Sequence, residues 1–202
     1  LALNDSDLNS LGDFIEAARA NPGKLSVGFA AGGGQQATAL WLQENLDLDI
    51  KLVSYDGGSD ASAALLGKHV DVIFGDAYAR VDLAPEAKAL GIGSTTPNTA
   101  WPDAVPFNEQ LSAYNVQMPS DEFQARMGCY FVSSKFVEDY PDRYQALIKG
   151  FEAAAANADY IQMLKDAKVY DSCVLKAGTE YSDQLTAMAD EVQNVVAPMF
   201  AS

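Results

Sequence analysis

The chain has 202 residues and a mass of 21.6 kDa, a length that favours one or two domains with their own core. Its 28 acidic residues against 13 Lys and Arg give a formal charge of −15, which disfavours nucleic acid and anionic membrane surfaces as partners. No apolar run approaches the ~18 residues of a membrane-spanning helix, so we expect no membrane insertion. The chain opens at Leu1 without a signal-peptide pattern, and we expect a mature, trimmed or partial chain.

In the first half of the chain, predicted strands alternate with predicted helices. Ser10 and Asp13 form a capping box before an apolar helical face, and Asn21-Pro22-Gly23 ends that helix. Strands are predicted at residues 25–30, 50–54, 70–74 and 89–93, and further helices at 37–45 and from an N-cap at Ser59 to Leu66. Strands and helices joined by short loops predict a parallel α/β sheet with helices on both faces.

The pattern changes after Ser94. Residues 95–106 are predicted to be a surface loop, and residues 123–132 a longer strand. Helices are then predicted at 135–140, 141–157, near Ile161 and at 182–200. The last helix carries an apolar stripe that predicts core packing, formed by Leu185, Met188, Val192, Val195 and Met199.

Few residues are available for catalysis or metal binding. His69 is the only histidine, so a multi-histidine metal site is impossible and a Ser-His-Asp arrangement would depend on this one residue. We expect His69 to lie at the surface. Cys129 and Cys173 show no metal spacing, and they either pair or remain separate thiols. We therefore predict no catalytic residue, no metal and no cofactor.

In an open parallel sheet, ligands bind outside the carboxyl ends of the strands. Three predicted loops lie there, at residues 31–36, 55–59 and 75–78. The first two are rich in glycine and run into helix N-termini, where free amides and the helix dipole attract anions. The predicted ligand-binding residues are Gly32, Gly33, Gly34, Gln35, Gln36, Tyr55, Gly57, Gly58, Ser59 and Asp76. The glycine runs match neither a Walker A motif nor a dinucleotide fingerprint, and alternatively they are only tight turns.

Two acidic residues, Asp56 and Asp76, lie in these loops and would repel a purely anionic ligand. Either these carboxylates point away from the site, or the ligand also carries a cation such as an amino group or a bound metal ion.

Four collinear segments resemble the solute-binding proteins of tripartite tricarboxylate transporters, also called Bug proteins. They are residues 20–25, 55–74 and 88–92, and the run from Pro102 to Pro106 with Glu109-Gln110. The resemblance implies a periplasmic-binding-protein-like α/β fold and a periplasmic receptor without enzymatic activity. Such a receptor closes two lobes on a small carboxylate, such as a di- or tricarboxylate or an amino acid, and delivers it to a membrane permease.

The sequence departs from the family pattern at several positions. Asp56 stands where the family usually has lysine, Ser54 where it often has proline, and Gly34 where serine is common. The acidic residue in place of lysine argues against the family's usual preference for a simple di- or tricarboxylate.

The resemblance also implies a domain organisation. Residues 8–115 would form lobe two, and residues 120–202 would return to complete lobe one, whose N-terminal part would be missing. Apolar faces left exposed by such a truncation would promote self-association.

Two other functions remain open at this stage, besides a ligand-sensing module fused to signalling machinery. One is a receptor of an ABC importer for a phosphonate, sulfonate or related anion. The other is a serine hydrolase with Ser59 or Ser62 as nucleophile and His69 as base, which is disfavoured because His69 lies beyond the opposite end of the helix from Ser59.

Overall fold

The computed structural model divides the chain into two compact units. It describes residues 1–95, 97–120, 128–173 and 181–200. One unit comprises Leu1–Ala125 with Val192–Ser202, and the other comprises Arg126–Glu191. Every strand among the described residues lies in the first unit, which we call the sheet unit. The second, which we call the helical unit, contains helices and irregular segments in its described part.

The centre of the sheet unit is a parallel three-stranded sheet. Strand β2 (Ser26–Ala30) lies between β3 (Lys51–Tyr55) and β4 (Val72–Ile73), and both neighbours run parallel to it. Helix α2 (Gly34–Asn45) connects β2 to β3, and α3 (Gly58–Leu66) connects β3 to β4. The predicted parallel α/β sheet is therefore confirmed.

Apolar side chains cover both faces of this sheet because successive strand residues point to opposite sides. Val72 belongs to one core cluster and Ile73 to the other. The first cluster also contains Val27 and Phe29 of β2 together with the buried face of α2, and the second contains Leu65 of α3. Helices consequently pack on both faces, as the sequence predicts.

The predicted fourth strand at residues 89–93 is wrong. The neighbouring strand, β5 (Ala87–Lys88), ends before residue 89 and pairs antiparallel with β1 (Ala2–Leu3). The outer edge of β4 is occupied by Leu1, which exchanges two backbone hydrogen bonds with Ile73 at 2.8 and 2.9 Å. The chain after β4 therefore pairs with β1 rather than extending the parallel sheet. Burial lowers the pKa of the Leu1 amine to about 5.

Helix α1 (Leu11–Ala20) begins at the predicted cap. The Ser10 hydroxyl accepts a 2.9 Å hydrogen bond from the Asp13 amide, and the Asp13 carboxylate accepts one from the Asn9 amide at 2.8 Å. The helix buries its predicted apolar face, formed by Leu11, Phe14, Ile15 and Ala18.

The Gln110 side chain, which we call the glutamine brace, links α1 to the backbone at Leu90 and Val105. The Gln110 carboxamide accepts from the Leu11 amide at 2.8 Å and donates to the Leu90 and Val105 carbonyls at 3.0 and 3.1 Å. Gly91 lies directly beneath it, where an added Cβ would approach the Phe107 ring to 2.7 Å and Gln110 Nε2 to 2.8 Å. Only glycine fits here without displacing the brace. Phe107 and Gln110 belong to α4 (Phe107–Leu111).

The helical unit contains α5 (Ser134–Asp139), α6 (Pro141–Ala155), α7 (Ala158–Asp166) and α8 (Ser182–Glu191). These bounds agree with the predicted helices to within a few residues, apart from the last. The predicted strand at 123–132 is not found over residues 128–132, and its remaining part lies outside the described residues. None of the helices described in the chain is long and apolar enough to cross a membrane.

The predicted last helix is divided into three parts. After α8, a π-helical segment (Val192–Val196) leads into α9 (Ala197–Met199). Val195 and Met199 pack against the core of the sheet unit, whereas Val192 is 48% exposed. A π-helical turn holds more residues than an α-helical turn, so a stripe with α-helical spacing no longer faces one side.

Replacing Gly91 by alanine tests the close approach beneath the glutamine brace. We expect Gly91→Ala to lower the free energy of unfolding by about 1–3 kcal/mol, because the new methyl group must displace the Phe107 ring or Gln110. Urea denaturation measures the loss. Gly12→Ala is the control, because its Cβ would meet neighbours only at 3.5 Å. Equal stability of the two variants would contradict the packing argument.

Candidate functional site

Three loops leave the carboxyl ends of the parallel strands and lie at one edge of the sheet. Two of them are joined directly, because the Ala31 amide donates a 2.9 Å hydrogen bond to the Tyr55 carbonyl. The third follows β4, and the amide of Phe74, directly after this strand, donates to the Gly28 carbonyl at 2.9 Å. The predicted ligand-binding residues lie in these loops or in the first turns of α2 and α3, except Tyr55, which is the last residue of β3.

The first loop leads into an uncapped helix. Helix α2 begins at Gly34, three residues before the predicted start, so Gln35 and Gln36 belong to its first turn. Gly33 is the N-cap and has no side chain to bond the first-turn amides, which are therefore left for solvent or a ligand. Gly32 has φ +70, and its amide donates to Gln36 Oε1 at 2.8 Å. Glycine tolerates this left-handed conformation without strain.

The second loop has the same arrangement. Gly57, with an extended backbone, is the N-cap of α3, and the helix begins at Gly58. The prediction of Ser59 as N-cap is wrong, because the extended backbone lies two residues earlier and Ser59 already lies in the first turn. Tyr55 is half-buried against the second core cluster, whereas Asp56 is exposed. This loop therefore also presents a helix N-terminus without a side-chain cap.

The third loop directs its acidic residue onto its own backbone. Asp76 Oδ1 accepts hydrogen bonds from the Tyr78 and Ala79 amides at 3.0 and 3.1 Å. Backbone amides satisfy part of this carboxylate's charge, which reduces its repulsion of an anion nearby. The Asp76 carboxylate is therefore bound by the backbone of its own loop.

Arg80 reaches the same part of the sheet unit, and the sequence analysis did not select it. Its Nη1 donates to the Ser62 hydroxyl of α3 at 3.1 Å, and its Nη2 lies 3.0 Å from where a Cβ on Gly58 would be. A Cβ on Gly75 would lie 2.9 Å from Arg80 Cγ. The side chain therefore runs from the third loop to the N-terminus of α3. The sequence feature that could have indicated Arg80 is its position two residues after Tyr78, at the end of the third loop, in a chain with only 13 Lys and Arg.

The Arg80 guanidinium has the Ser62 hydroxyl as a partner, but among the described residues it lacks the carboxylate that a half-buried cation usually has. Its Nε is buried and has no hydrogen-bond partner. Within the described ranges, no carboxylate forms an ion pair with it. The positive end of α3 and a guanidinium thus meet at one point.

The turn at residues 98–101, in which Asn98, Ala100 and Trp101 are buried, supports the third site loop. Trp101 is 5% exposed, and its indole Nε1 donates to the Ala77 carbonyl at 2.8 Å. The buried Asn98 side chain accepts from the Ala100 and Trp101 amides at 2.9 and 3.1 Å, which fixes the turn that holds the indole. The loop at residues 75–78 is therefore held by a specific polar contact.

The serine hydrolase arrangement is not present. The Ser62 hydroxyl donates to the Gly58 carbonyl at 3.0 Å, in the first half of α3. His69 is exposed and lies after the end of the helix, where its amide bonds the Ala64 carbonyl. Ser59 is the second residue of α3 and the helix ends at Leu66, so the two lie roughly 10 Å apart at 1.5 Å per residue. The expectation of a surface histidine is confirmed.

The described residues contain no group of three or more His, Cys, Asp or Glu side chains that could hold a metal ion. Cys129 and Cys173 are free thiols, half-buried and exposed respectively. The structure therefore selects the unpaired alternative for the two cysteines.

Replacing Trp101 by phenylalanine tests the support of the third loop. We expect Trp101→Phe to lower the free energy of unfolding by about 1 kcal/mol, because the Ala77 carbonyl loses its donor while the ring stays buried. We also expect faster amide hydrogen exchange at residues 77–79, measured by mass spectrometry. Trp41→Phe, in the other core cluster, is the control for losing an indole. Unchanged exchange at these residues would contradict the supporting role.

Comparison with known proteins identifies relatives of this chain. The model of the tripartite tricarboxylate transporter family receptor, TctC, matches residues 1–125. A UPF0065 protein of Bordetella pertussis is 32% identical over 123 residues, which cover 59% of this chain and 38% of that protein. The chain thus spans well under half the length of this curated relative.

Solved structures share the fold. An R. palustris protein solved with adipate has 14% sequence identity and a TM-score of 0.64, covering 98% of this chain and 63% of that one. A periplasmic transporter has 17% identity and a TM-score of 0.61, covering 96% and 64%. The periplasmic binding protein BugD has 20% identity and a TM-score of 0.53, covering 83% and 54%.

These structural likenesses confirm the periplasmic-binding-protein-like α/β fold that the sequence predicts. The family match covers more than half of the chain, and the segments that carried the sequence resemblance over residues 20–110 all lie within it. The chain belongs to the tripartite tricarboxylate transporter receptor family, TctC.

Proposed function

We propose that this chain is part of a periplasmic receptor that captures a small carboxylate solute for a tripartite tricarboxylate transporter. The observation that carries the proposal is the pair of uncapped helix N-termini, at Gly33 and Gly57, at the same edge of the sheet. The 2.9 Å bond from Ala31 to Tyr55 joins the two loops that lead to them. Each N-terminus offers amides and a partial positive charge to an anion.

The proposed ligand contacts are the residues that the sequence predicts at this edge. They are Gly32, Gly33, Gly34, Gln35, Gln36, Tyr55, Gly57, Gly58, Ser59 and Asp76. The glycines allow a carboxylate to approach the backbone, and the two glutamines and Ser59 offer neutral donors and acceptors. The function of the site is recognition, because the TctC family consists of receptors rather than enzymes.

Family membership supports the proposed partner and location. Receptors of this family work with the permease subunits of a tripartite transporter, and we propose the same partner here. The structural relatives titled as a periplasmic transporter and a periplasmic binding protein support a periplasmic location. The R. palustris relative was solved with adipate, which makes a C6 dicarboxylate a reasonable first probe.

A thermal-shift screen of C4–C8 mono-, di- and tricarboxylates, amino acids and phosphonates tests the proposed function. A ligand at a hundred times its Kd stabilises its receptor by about 2.7 kcal/mol, a shift that such a screen detects. The screen uses both the chain and the longest open reading frame that contains it, because the chain spans 54–64% of these solved relatives. We expect a shift with a carboxylate.

The outcomes of the screen separate the possible functions. A shift with an amino acid alone would favour a ligand cation, which Asp56 or Asp76 could recognise. A shift with a phosphonate or sulfonate and with no carboxylate would contradict the proposed ligand class. His69→Ala is the control, and its ligand affinity should equal that of the wild type because His69 is exposed and far from the site.

We further propose that residues 8–115 form lobe two, and that the residues from about 120 onward complete lobe one. The division into compact units at residues 125 and 191 supports a change of lobe there, although Val192–Ser202 group with the sheet unit. Among the side chains described in the helical unit, only Leu164 is buried. Its exposed apolar side chains include Tyr130, Phe131, Leu147, Phe151, Tyr160 and Met163.

An incomplete lobe explains this exposure, because the described part of the unit, with one buried side chain, does not supply the core that stable domains need. The missing cover would come from a segment of a longer protein, and without it the exposed face would promote self-association.

Hydrogen exchange tests the lobe assignment. In the chain, we expect amides of α6 to exchange at least about tenfold faster than those of β2, because few buried contacts oppose local opening. In the longest open reading frame, α6 should gain protection while β2 remains unchanged. Equal protection of α6 in both proteins would contradict an incomplete lobe.

A further inference from the structure

We infer that Arg80 is the residue that determines charge specificity, and that its guanidinium binds a carboxylate of the solute at the N-terminus of α3. The inference rests on the proposed function and names one residue and one ligand group within it. The inference implies that the solute has a negatively charged end, and that this end contacts the second and third loops.

The geometry holds the guanidinium at this point. Three positions surround the Arg80 side chain: Gly58 and Ser62 on α3, and Gly75 in the loop after β4. Both glycines leave the space that a Cβ would fill, at 3.0 Å from Nη2 and 2.9 Å from Cγ. The Ser62 hydroxyl accepts from Nη1 at 3.1 Å, and it donates in turn to the Gly58 carbonyl. The guanidinium is therefore preorganised rather than free at the surface.

The electrostatics of this position are unfavourable until an anion arrives. A helix N-terminus carries about half a positive charge, and a guanidinium beside it adds a full one. Nε is buried without an acceptor, and Arg80 forms no ion pair within the described part of the chain. Folding alone gives no reason to place two positive groups together. An incoming carboxylate satisfies both groups at once, since it accepts from first-turn amides and from the guanidinium.

A structural role for Arg80 is the competing explanation, because the bond to Ser62 could simply brace α3 against the third loop. The two roles make different predictions for the protein without ligand. A brace stabilises the empty protein, so its removal lowers the melting temperature. An unsatisfied cation destabilises the empty protein, so replacing it by a neutral side chain leaves the melting temperature equal or higher.

The test compares Arg80→Gln with wild type, in the longest open reading frame that contains the chain. Calorimetry measures the Kd of adipate, or of the best carboxylate from the screen, and of the analogue in which carboxamides replace the carboxylates. We expect Arg80→Gln to weaken carboxylate binding at least about tenfold, the effect of losing one charge-assisted hydrogen bond. Binding of the carboxamide should change less than about twofold, and the melting temperature without ligand should not fall.

Two further variants complete the experiment. Arg19→Gln removes an arginine of α1 that lies 5.1 Å from the Tyr114 ring, and it should leave both affinities unchanged. Arg80→Lys keeps the charge but loses the planar fork, and it should weaken carboxylate binding by a smaller factor than Arg80→Gln. It also serves as the test if Arg80→Gln does not fold, in which case carboxylate and carboxamide binding equal to wild type would overturn the inference.

The failure of the inference is distinguishable from the failure of the proposed function. Wild-type protein that binds no carboxylate contradicts both. Wild-type protein that binds a carboxylate, with Arg80→Gln weakening carboxylate and carboxamide equally or weakening neither, overturns only the role of Arg80. A melting temperature that falls without ligand, together with equal losses, assigns Arg80 the structural role.

Discussion

The parallel pairing of β2 with both of its neighbours is the constraint on which the rest of the structure depends. Because β2, β3 and β4 run in one direction, the loops that follow them emerge at one edge of the sheet. The pairing requires close approach at Gly28, where a Cβ would lie 3.1 Å from the Tyr55 ring and 3.2 Å from Val70. A side chain at Gly28 would push Tyr55 away and disturb the second loop. Packing in the core around Gly28 therefore determines the geometry of the proposed site.

The sequence predicts features that depend on neighbouring residues, and it fails where distant residues decide. The Ser10 cap, the glycine turns and the parallel strands follow from short-range patterns, and the structure contains them. The strand at Ala87–Lys88 depends on a partner more than eighty residues earlier in the chain, which periodicity cannot reveal. Arg80 belongs to the same class, because its position becomes meaningful only when folding brings it to Gly58 and Ser62.

The two units of the chain differ in how their helices are stabilised. In the sheet unit, α1 buries Leu11, Phe14 and Ile15, so tertiary contacts hold the helix in place. In the helical unit, α6 has no buried residue, and its stability rests on local features such as Pro141 at the first helical position. Local features stabilise helices only marginally in water. The helices of the helical unit can therefore be predicted from the sequence. Their stability requires tertiary contacts that the described residues of this unit do not supply.

With a net charge of −15, the proposed carboxylate binding depends on the groups next to the ligand and not on the charge of the whole surface. At physiological ionic strength, charges more than about 8 Å apart are largely screened, so the acidic surface exerts only a weak repulsion on a solute that has reached the site. At contact, the nearest groups decide, and in the proposed site these are the uncapped amides at Gly33 and Gly57 and the guanidinium of Arg80. Amides of a helix N-terminus recognise any anion of suitable size, whereas a fixed guanidinium favours a planar carboxylate that it can bind with two hydrogen bonds. An acidic receptor can therefore select a carboxylate without a basic surface, provided that one cation is preorganised beside the backbone donors.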